Sequence, residues 1–426
     1  MPNTDLPLGD DLRAFVDAAP SPFHAVAELA RRLTAAGFTE LAETDRWVLG
    51  PGAEHFVIRS GSLIAFRVGR APLAESGLRL VGAHTDSPTF RVRPRSDVRQ
   101  AGYRLVGVEP YGGALWHTWL DRELTAAGRL ALRNGRTALV RLPGAPLRLP
   151  SLAIHLDRSV REGLTLDPQR HLVPVWSSDD LDAEPGLLAA LAGAAGVPAD
   201  DVLAYDLVLA DTQPAGRAGA DGTWVASPRL DDLACCHSGL TALLAAAATD
   251  RTQLLVCNDH EEVGSGSMSG ARGSFLEDVV HRLALSTDAG EPQAVHRAVA
   301  RSRLVSADMA HAVHPTRSDR HENEHRPRLG GGPVLKVNAN QAYATDAAGA
   351  GWFTARCDEA GVPVQHFVSR ADLPCGSTIG PLSATRLGIP TVDVGAPMLA
   401  MHSCRELASA LDVPLMVAAL TACLRD

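Results

Sequence analysis

Two glutamates side by side, directly behind a buried apolar run, restrict this chain more than any other feature of its sequence. Glu261 and Glu262 belong to Cys257-Asn258-Asp259-His260-Glu261-Glu262-Val263-Gly264-Ser265, which follows Leu254-Leu255-Val256, a run that predicts a short buried strand. The acidic cluster then stands at a strand end, in a Gly/Ser-rich loop reaching Gly270, where open α/β sheets place their chemistry. Ionisable groups in succession repel one another and resist burial unless a cation or a shared proton compensates. A metal is the simplest compensation. One carboxylate ligates it while its neighbour, aimed the other way, takes a proton from water. A solvated acidic loop is the alternative reading of this stretch on its own.

The same arrangement, a ligand-type side chain just beyond an apolar run, recurs along the chain. Leu78-Arg79-Leu80-Val81 leads to His84-Thr85-Asp86, in which the histidine ligates and the carboxylate orients that region, or the histidine is an ordinary surface residue. Asp231 and Asp232, after Ser227-Pro228-Arg229-Leu230, are ligands or helix-cap groups ahead of a long Ala-rich helix. Arg303-Leu304-Val305 leads to Asp308, and Thr391-Val392-Asp393-Val394 leads to His402. Together His84, Asp231, Glu262, Asp308 and His402 supply enough donors for two divalent ions if one carboxylate is shared, with positions left for water. His155, amid Leu152-Ala153-Ile154 and Leu156, reads as an ordinary strand residue.

At 426 residues the chain is too long for one ordinary core, so two domains are expected. Asp10–Ala19 and Pro22–Ala36 carry apolar residues at helical spacing, with Ser21-Pro22 as cap and first turn. From about Arg93 to Gly222 the texture changes to short alternating segments broken by Gly and Pro. That predicts an α/β/α sandwich, residues 1–92 and 223–426, interrupted by an inserted β-rich domain, residues 93–222. The net charge of −9 gives no footprint for nucleic acid or an anionic membrane. Seven cysteines without a C-x-x-C suggest reduced thiols and a cytoplasmic protein. The polar stretch Met1–Asp11 does not read as a signal peptide, and the Leu233–Thr249 run, with His237 inside it, reads as a buried helix and not a membrane span.

Two motifs are set aside. His321-Glu322-Asn323-Glu324-His325 matches H-E-x-x-H, but its flanks lack amphipathic periodicity and Pro327 disfavours a helix. Gly330-Gly331-Gly332 lacks the Lys-Ser/Thr of a phosphate loop.

In order, these segments resemble the aspartyl aminopeptidase family of co-catalytic metallo-aminopeptidases. The matching text is His84-Thr85-Asp86-Ser87-Pro88, Ala153-Ile154-His155-Leu156-Asp157-Arg158, Ser227-Pro228-Arg229-Leu230-Asp231, Glu261-Glu262-Val263-Gly264-Ser265, Ser306 to Pro315, His321-Glu322 with His325-Arg326-Pro327, Cys375 to Pro381, and Ala400-Met401-His402-Ser403. The resemblance implies removal of N-terminal Asp or Glu from peptides with a free N-terminus, by a homo-oligomer, a dodecamer built from dimers through the inserted domain. It implies two divalent ions per subunit, zinc by the donor mix, with cobalt or manganese as alternatives. By matching position Asp231 bridges the ions, Glu262 and His402 complete one site, and His84 and Asp308 the other. Glu261 is the general base, Asp86 supports the metal site, and His155 reaches a neighbouring subunit's active site. Of 40 basic residues Lys336 is the single lysine, and the resemblance puts it where the substrate's acidic side chain needs a positive partner. Departures are Asp232 for the usual Asn, Ala342 for Arg, and Arg320 for Lys. A deacylase or carboxypeptidase with the same metals, and a non-catalytic assembly protein, are the competing classes.

Overall fold

A computed structural model describes residues 6–179, 186–288 and 290–426; the first five residues of the polar opening stretch lie outside them. Ser21 Oγ accepts the His24 amide and Pro22 fills the first turn, which starts the helix Pro22–Ala35 beside Pro7–Ala18. Leu29 and Leu33 on one helix and Phe15 and Val16 on the other are fully buried against the sheet.

The central sheet of nine strands has a parallel middle, in which Thr252–Asn258, Leu78–His84, Arg303–Ala307 and Thr391–Gly395 run side by side. Strand geometry sends successive side chains to opposite faces. Leu255 and Cys257 therefore pack beneath the helices Leu230–Ala245 and Asp412–Arg425, whereas Leu254 and Val256 pack beneath Phe275–Thr287. Each such side chain contributes about 1.5–3 kcal/mol on burial. Both faces are covered, and the result is the expected α/β/α sandwich.

The inserted β-rich part is a six-stranded antiparallel sheet whose outer strands are Thr137–Arg141 and Val175–Ser178, with Thr89–Gln100, Tyr103–Tyr111, Leu124–Leu132 and Val202–Asp211 between them. It has its own core, including Phe90, Trp119, Leu124, Leu130 and Leu207. Residue 93 lies within the strand Thr89–Gln100, where pairing with Tyr103–Tyr111 is interrupted between Val92 and Asp97. Residue 222 lies in the hairpin joining Gly216–Ala218 to Trp224–Ser227, part of a third sheet that includes Glu406–Ser409. One local expectation is corrected: His155 is not on a strand but in an exposed turn, residues 154–156, because the apolar neighbours that suggested alternation face solvent in the single chain.

Candidate metal centre

Strand register decides which loops meet. Asn258 pairs with His84, and Arg303–Ala307 runs along the other side of Leu78–His84, so His84, the Glu261-Glu262 turn and Asp308 leave the sheet along one edge. Asp231 and Asp232 precede the regular part of their helix, as both hold non-helical backbone angles. Their carboxylates turn towards the site: Asp232 Oδ2 accepts the His84 amide at 3.1 Å, and Asp231 faces two histidines. His402 has φ 67° and Arg229 and His260 have φ 58° and 64°. Such left-handed non-glycine backbone costs roughly 1–3 kcal/mol each and gathers at functional sites.

Asp231 is the centre of the arrangement. Its Oδ1 lies 3.5 Å from His84 Nε2 and its Oδ2 lies 3.5 Å from His402 Nε2. His402 Nε2 is also 3.5 Å from Glu262 Oε1, and His84 Nε2 is 4.0 Å from Asp308 Oδ2. Donors held 2.0–2.1 Å from a tetrahedral ion stand about 3.4 Å from one another, so these separations suit a metal. His84 Nδ1 donates to the Asp86 carbonyl at 2.9 Å, and His402 Nδ1 to the Gly113 carbonyl at 3.2 Å. A carbonyl can only accept, so each Nε2 turns its lone pair to the centre. Buried Asp231 Oδ1 has no hydrogen-bond partner, the condition a bound cation would relieve. The donor set fits divalent ions.

The electrostatics agree. Burial raises the Glu262 and Asp232 carboxyls well above the usual range, and neighbouring carboxylates add to it. Burial likewise raises Glu261, to about 7, with Asp308, Asp86 and Asp231 pushing the same way against His84. For Asp231 burial opposes ionisation, but His402 and His84 outweigh it and hold its carboxyl below the ordinary range. Asp86 accepts the amides of Glu261 and Glu262 at 3.0 and 3.1 Å, one on each oxygen, and so fixes the turn that aims both glutamates.

The sequence profile described as aminopeptidase I zinc metalloprotease (M18) matches residues 15–423. The chain belongs to this family. It is a metal-dependent aminopeptidase, a peptide hydrolase. The "Probable M18 family aminopeptidase 2" of Streptomyces coelicolor is 46% identical over 421 residues, covering 98% of this chain and 97% of the relative. A chain from the cryo-EM structure of the Ape4 and Nbr1 complex superposes with TM-score 0.95 at 37% identity, over 98% of this chain and 85% of that one. The S. cerevisiae mApe1 dodecamer gives TM-score 0.85 at 30% identity, over 98% and 96%.

Other expected site residues of this M18 aminopeptidase do not face the space between the ligand-type side chains as the sequence suggested. Lys336 is 2% exposed, and its Nζ donates to the Asp308 carbonyl at 2.7 Å, to the Met309 carbonyl at 3.2 Å and to Asp308 Oδ1 at 3.3 Å. Its three hydrogens are thus engaged, which corrects the expectation of an ammonium open to a substrate side chain. His155 stands exposed in its turn and makes no hydrogen bond to any of the ligand-type residues. His321 to His325 is not helical: His321 Nε2 accepts the His314 amide and Glu322 binds His325, so the H-E-x-x-H match holds no shared metal face. A cleft beside the His402 loop is lined by His311, Arg320, His321, Tyr343, Arg370 and Met401. Sequence reasoning missed Glu406, whose two oxygens accept the amides of Asp231 at 3.1 Å and His402 at 2.8 Å. It also missed Tyr111, whose hydroxyl donates to Asp86 Oδ2 at 2.7 Å.

Proposed function

We propose that this aminopeptidase uses a binuclear centre to hydrolyse N-terminal Asp and Glu from peptides. The observation that carries the binuclear reading is Asp231, with one oxygen towards His84 and the other towards His402. His84 and Asp308 would hold one ion, Glu262 and His402 the other, and Asp231 both. Bound divalent ions, zinc by the donor mix and cobalt or manganese as alternatives, supply polarisation of the scissile carbonyl and a more acidic water. Glu261 accepts the proton of the attacking water and delivers it to the leaving amine nitrogen. Its neighbour Glu262 is committed to ligation, and Asp86 keeps the two glutamates divergent by binding both amides.

Acidic selectivity is supported by the guanidinium groups of Arg320 and Arg370, which line the cleft. Lys336 acts on the substrate at one remove, by holding Asp308. We divide the chain into residues 1–92 with 223–426 as catalytic domain and 93–222 as dimerisation domain. A homo-oligomer, a dodecamer as in the mApe1 structure, would cover the exposed Leu152, Leu156 and Leu164 of the insert and bring His155 to a neighbour's active site as an oxyanion donor. No helix of the described residues is long and apolar enough to cross a membrane, and all seven cysteines are free, which supports a cytoplasmic setting.

The test is a panel of peptides with free and blocked N-termini, assayed before and after chelation, with metal content measured on Glu261→Gln and Glu262→Gln. Free Asp and Glu N-termini are turned over only with metal present. Glu261→Gln keeps its metal and loses turnover by about 10²-fold or more, whereas Glu262→Gln loses metal too. Equal metal loss in both variants would sink the division of labour, and turnover of blocked peptides would favour a deacylase.

A further inference from the structure

The ligand-type residues all come from the α/β part of the chain, yet three consecutive residues at the end of a strand of the inserted sheet touch their surroundings. Tyr111 ends the strand Tyr103–Tyr111, and its hydroxyl donates to Asp86 Oδ2 at 2.7 Å, the oxygen that also accepts the Glu262 amide. Gly112 follows with φ 68°, and a Cβ built on it would stand 3.0 Å from Glu262 Cβ and 3.3 Å from the Glu262 carbonyl. Only glycine fits both the conformation and the approach. Gly113 then offers its carbonyl to His402 Nδ1 at 3.2 Å, and the Leu115 amide donates to the His402 carbonyl at 2.9 Å. One short segment thus bears on Asp86, Glu262 and His402, which come from three separate loops of the other domain.

The chemistry of each contact is directional. Gly113 fixes the tautomer and ring plane of His402, so that Nε2 faces Asp231 and Glu262. Tyr111 holds the carboxylate that aims the Glu261-Glu262 turn. The absence of a side chain at Gly112 leaves room for the Glu262 main chain. Outer partners of this kind commonly control metal affinity by 10- to 100-fold.

We propose that Tyr111, Gly112 and Gly113 are positioning residues through which the inserted domain sets the metal affinity of a centre whose ligands it does not supply. The proposal rests on the binuclear reading above. It makes the insert part of the catalytic apparatus of its own subunit, separate from any role in assembly. A shift of the inserted sheet against the α/β domain would be transmitted to Glu262 and His402 through this segment.

The experiment is zinc affinity of the full-length protein by competition with a chromophoric chelator, for wild type, Tyr111→Phe, Gly112→Ala and, as control, Tyr103→Phe. Tyr103 lies at the other end of the same strand and is 51% exposed. Melting temperature of the stripped protein and kcat at saturating zinc are measured in parallel. Tyr111→Phe and Gly112→Ala are expected to weaken zinc by about 10- to 100-fold. Tyr111→Phe should do so with the stripped protein's melting temperature unchanged, and excess zinc should restore most of its kcat. Tyr103→Phe should bind as wild type. Wild-type zinc affinity in Tyr111→Phe, or an equal loss in Tyr103→Phe, overturns the proposal. Should the wild type hold no divalent metal and ignore chelation, the binuclear reading itself falls; that outcome is separable because it appears before any variant is compared.

Discussion

Lys336 carries its charge where a strand residue would ordinarily be apolar. It sits in Val334–Val337, buried, and spends its donors on Asp308 and Met309. Burial works against its charge, but Asp308, Tyr343 and Asp393 outweigh that and hold the ammonium protonated. Removing it leaves Asp308 buried beside Asp231 without a counter-charge. Lys336→Met is therefore expected to lower turnover of N-terminal Asp, Glu, Ala and Leu peptides alike, by roughly ten- to hundredfold, the 1.5–3 kcal/mol of a charged hydrogen bond. Metal content should fall with it. A loss confined to Asp and Glu peptides, measured by kcat/KM on all four, would instead make Lys336 a direct reader of the acidic side chain. Asp232, the departure from Asn, gives a second residue-scale prediction. One of its oxygens accepts the His84 amide and the other is unpaired, so Asp232→Asn retains the acceptor and should leave metal content within about twofold of wild type. A larger change in metal content would show that the Asp232 carboxylate matters by its charge.

Between elements, the helix Leu230–Ala245 is tied to Pro7–Ala18 by one carboxylate. Asp11 Oδ2 accepts from His237 Nε2 and from Arg32, both at 2.7 Å. The His237 hydrogen bond, then Arg32, outweighs burial and holds the Asp11 carboxyl well below the ordinary carboxylate range. A depressed carboxyl contributes stability that is present above its unfolded pKa, near 3.9, and lost as pH falls towards the folded value. Asp11→Asn should cost about 1 kcal/mol at pH 7, discounted because the Asp11 side chain is 44% exposed, and less at pH 3. Urea midpoints at the two pH values check this; an undiminished difference at pH 3 would show that the contact does not depend on ionisation. Legibility also differs by element. The parallel strands were readable because Leu254-Leu255-Val256 and Leu78 to Val81 are apolar on both faces, as a doubly covered sheet requires. His84, Glu262, Asp308 and His402 stand out in the sequence because each follows an apolar run, whereas Asp231, after Ser227-Pro228-Arg229-Leu230, reads there as a ligand or a helix cap. Tyr111-Gly112-Gly113 does not stand out, since Tyr-Gly-Gly reads as a turn and says nothing of the carboxylate its hydroxyl will meet. Glu406 was hidden for a related reason: its partners are backbone amides, which any sequence possesses. Around His155, apolar alternation signalled a face to be covered without saying by what, and in the single chain it is left open.

That open face belongs to the scale of the whole molecule. Leu152, Leu156 and Leu164 are 65%, 76% and 47% exposed, apolar side chains that association between subunits would take out of water. His155 lies among them in a turn with no partner, whereas the other proposed active-site residues gather at the end of the central sheet. If association covers this stretch, the histidine is carried into a second subunit's cleft, where a fixed donor can stabilise the oxyanion of the tetrahedral intermediate by about 3–4 kcal/mol. His155→Ala and Glu261→Gln subunits are then each inactive for different reasons, and each retains what the other lacks. Dissociated together and reassembled, they should regain a fraction of wild-type turnover, approaching one quarter per subunit pair if random pairing puts an intact Glu261 opposite an intact His155 in one of four arrangements. The oligomer must first be shown to exchange subunits, for instance by mixed tags in one purified assembly. Reassembled mixtures that stay as inactive as their parents would place the action of His155 outside a neighbour's active site.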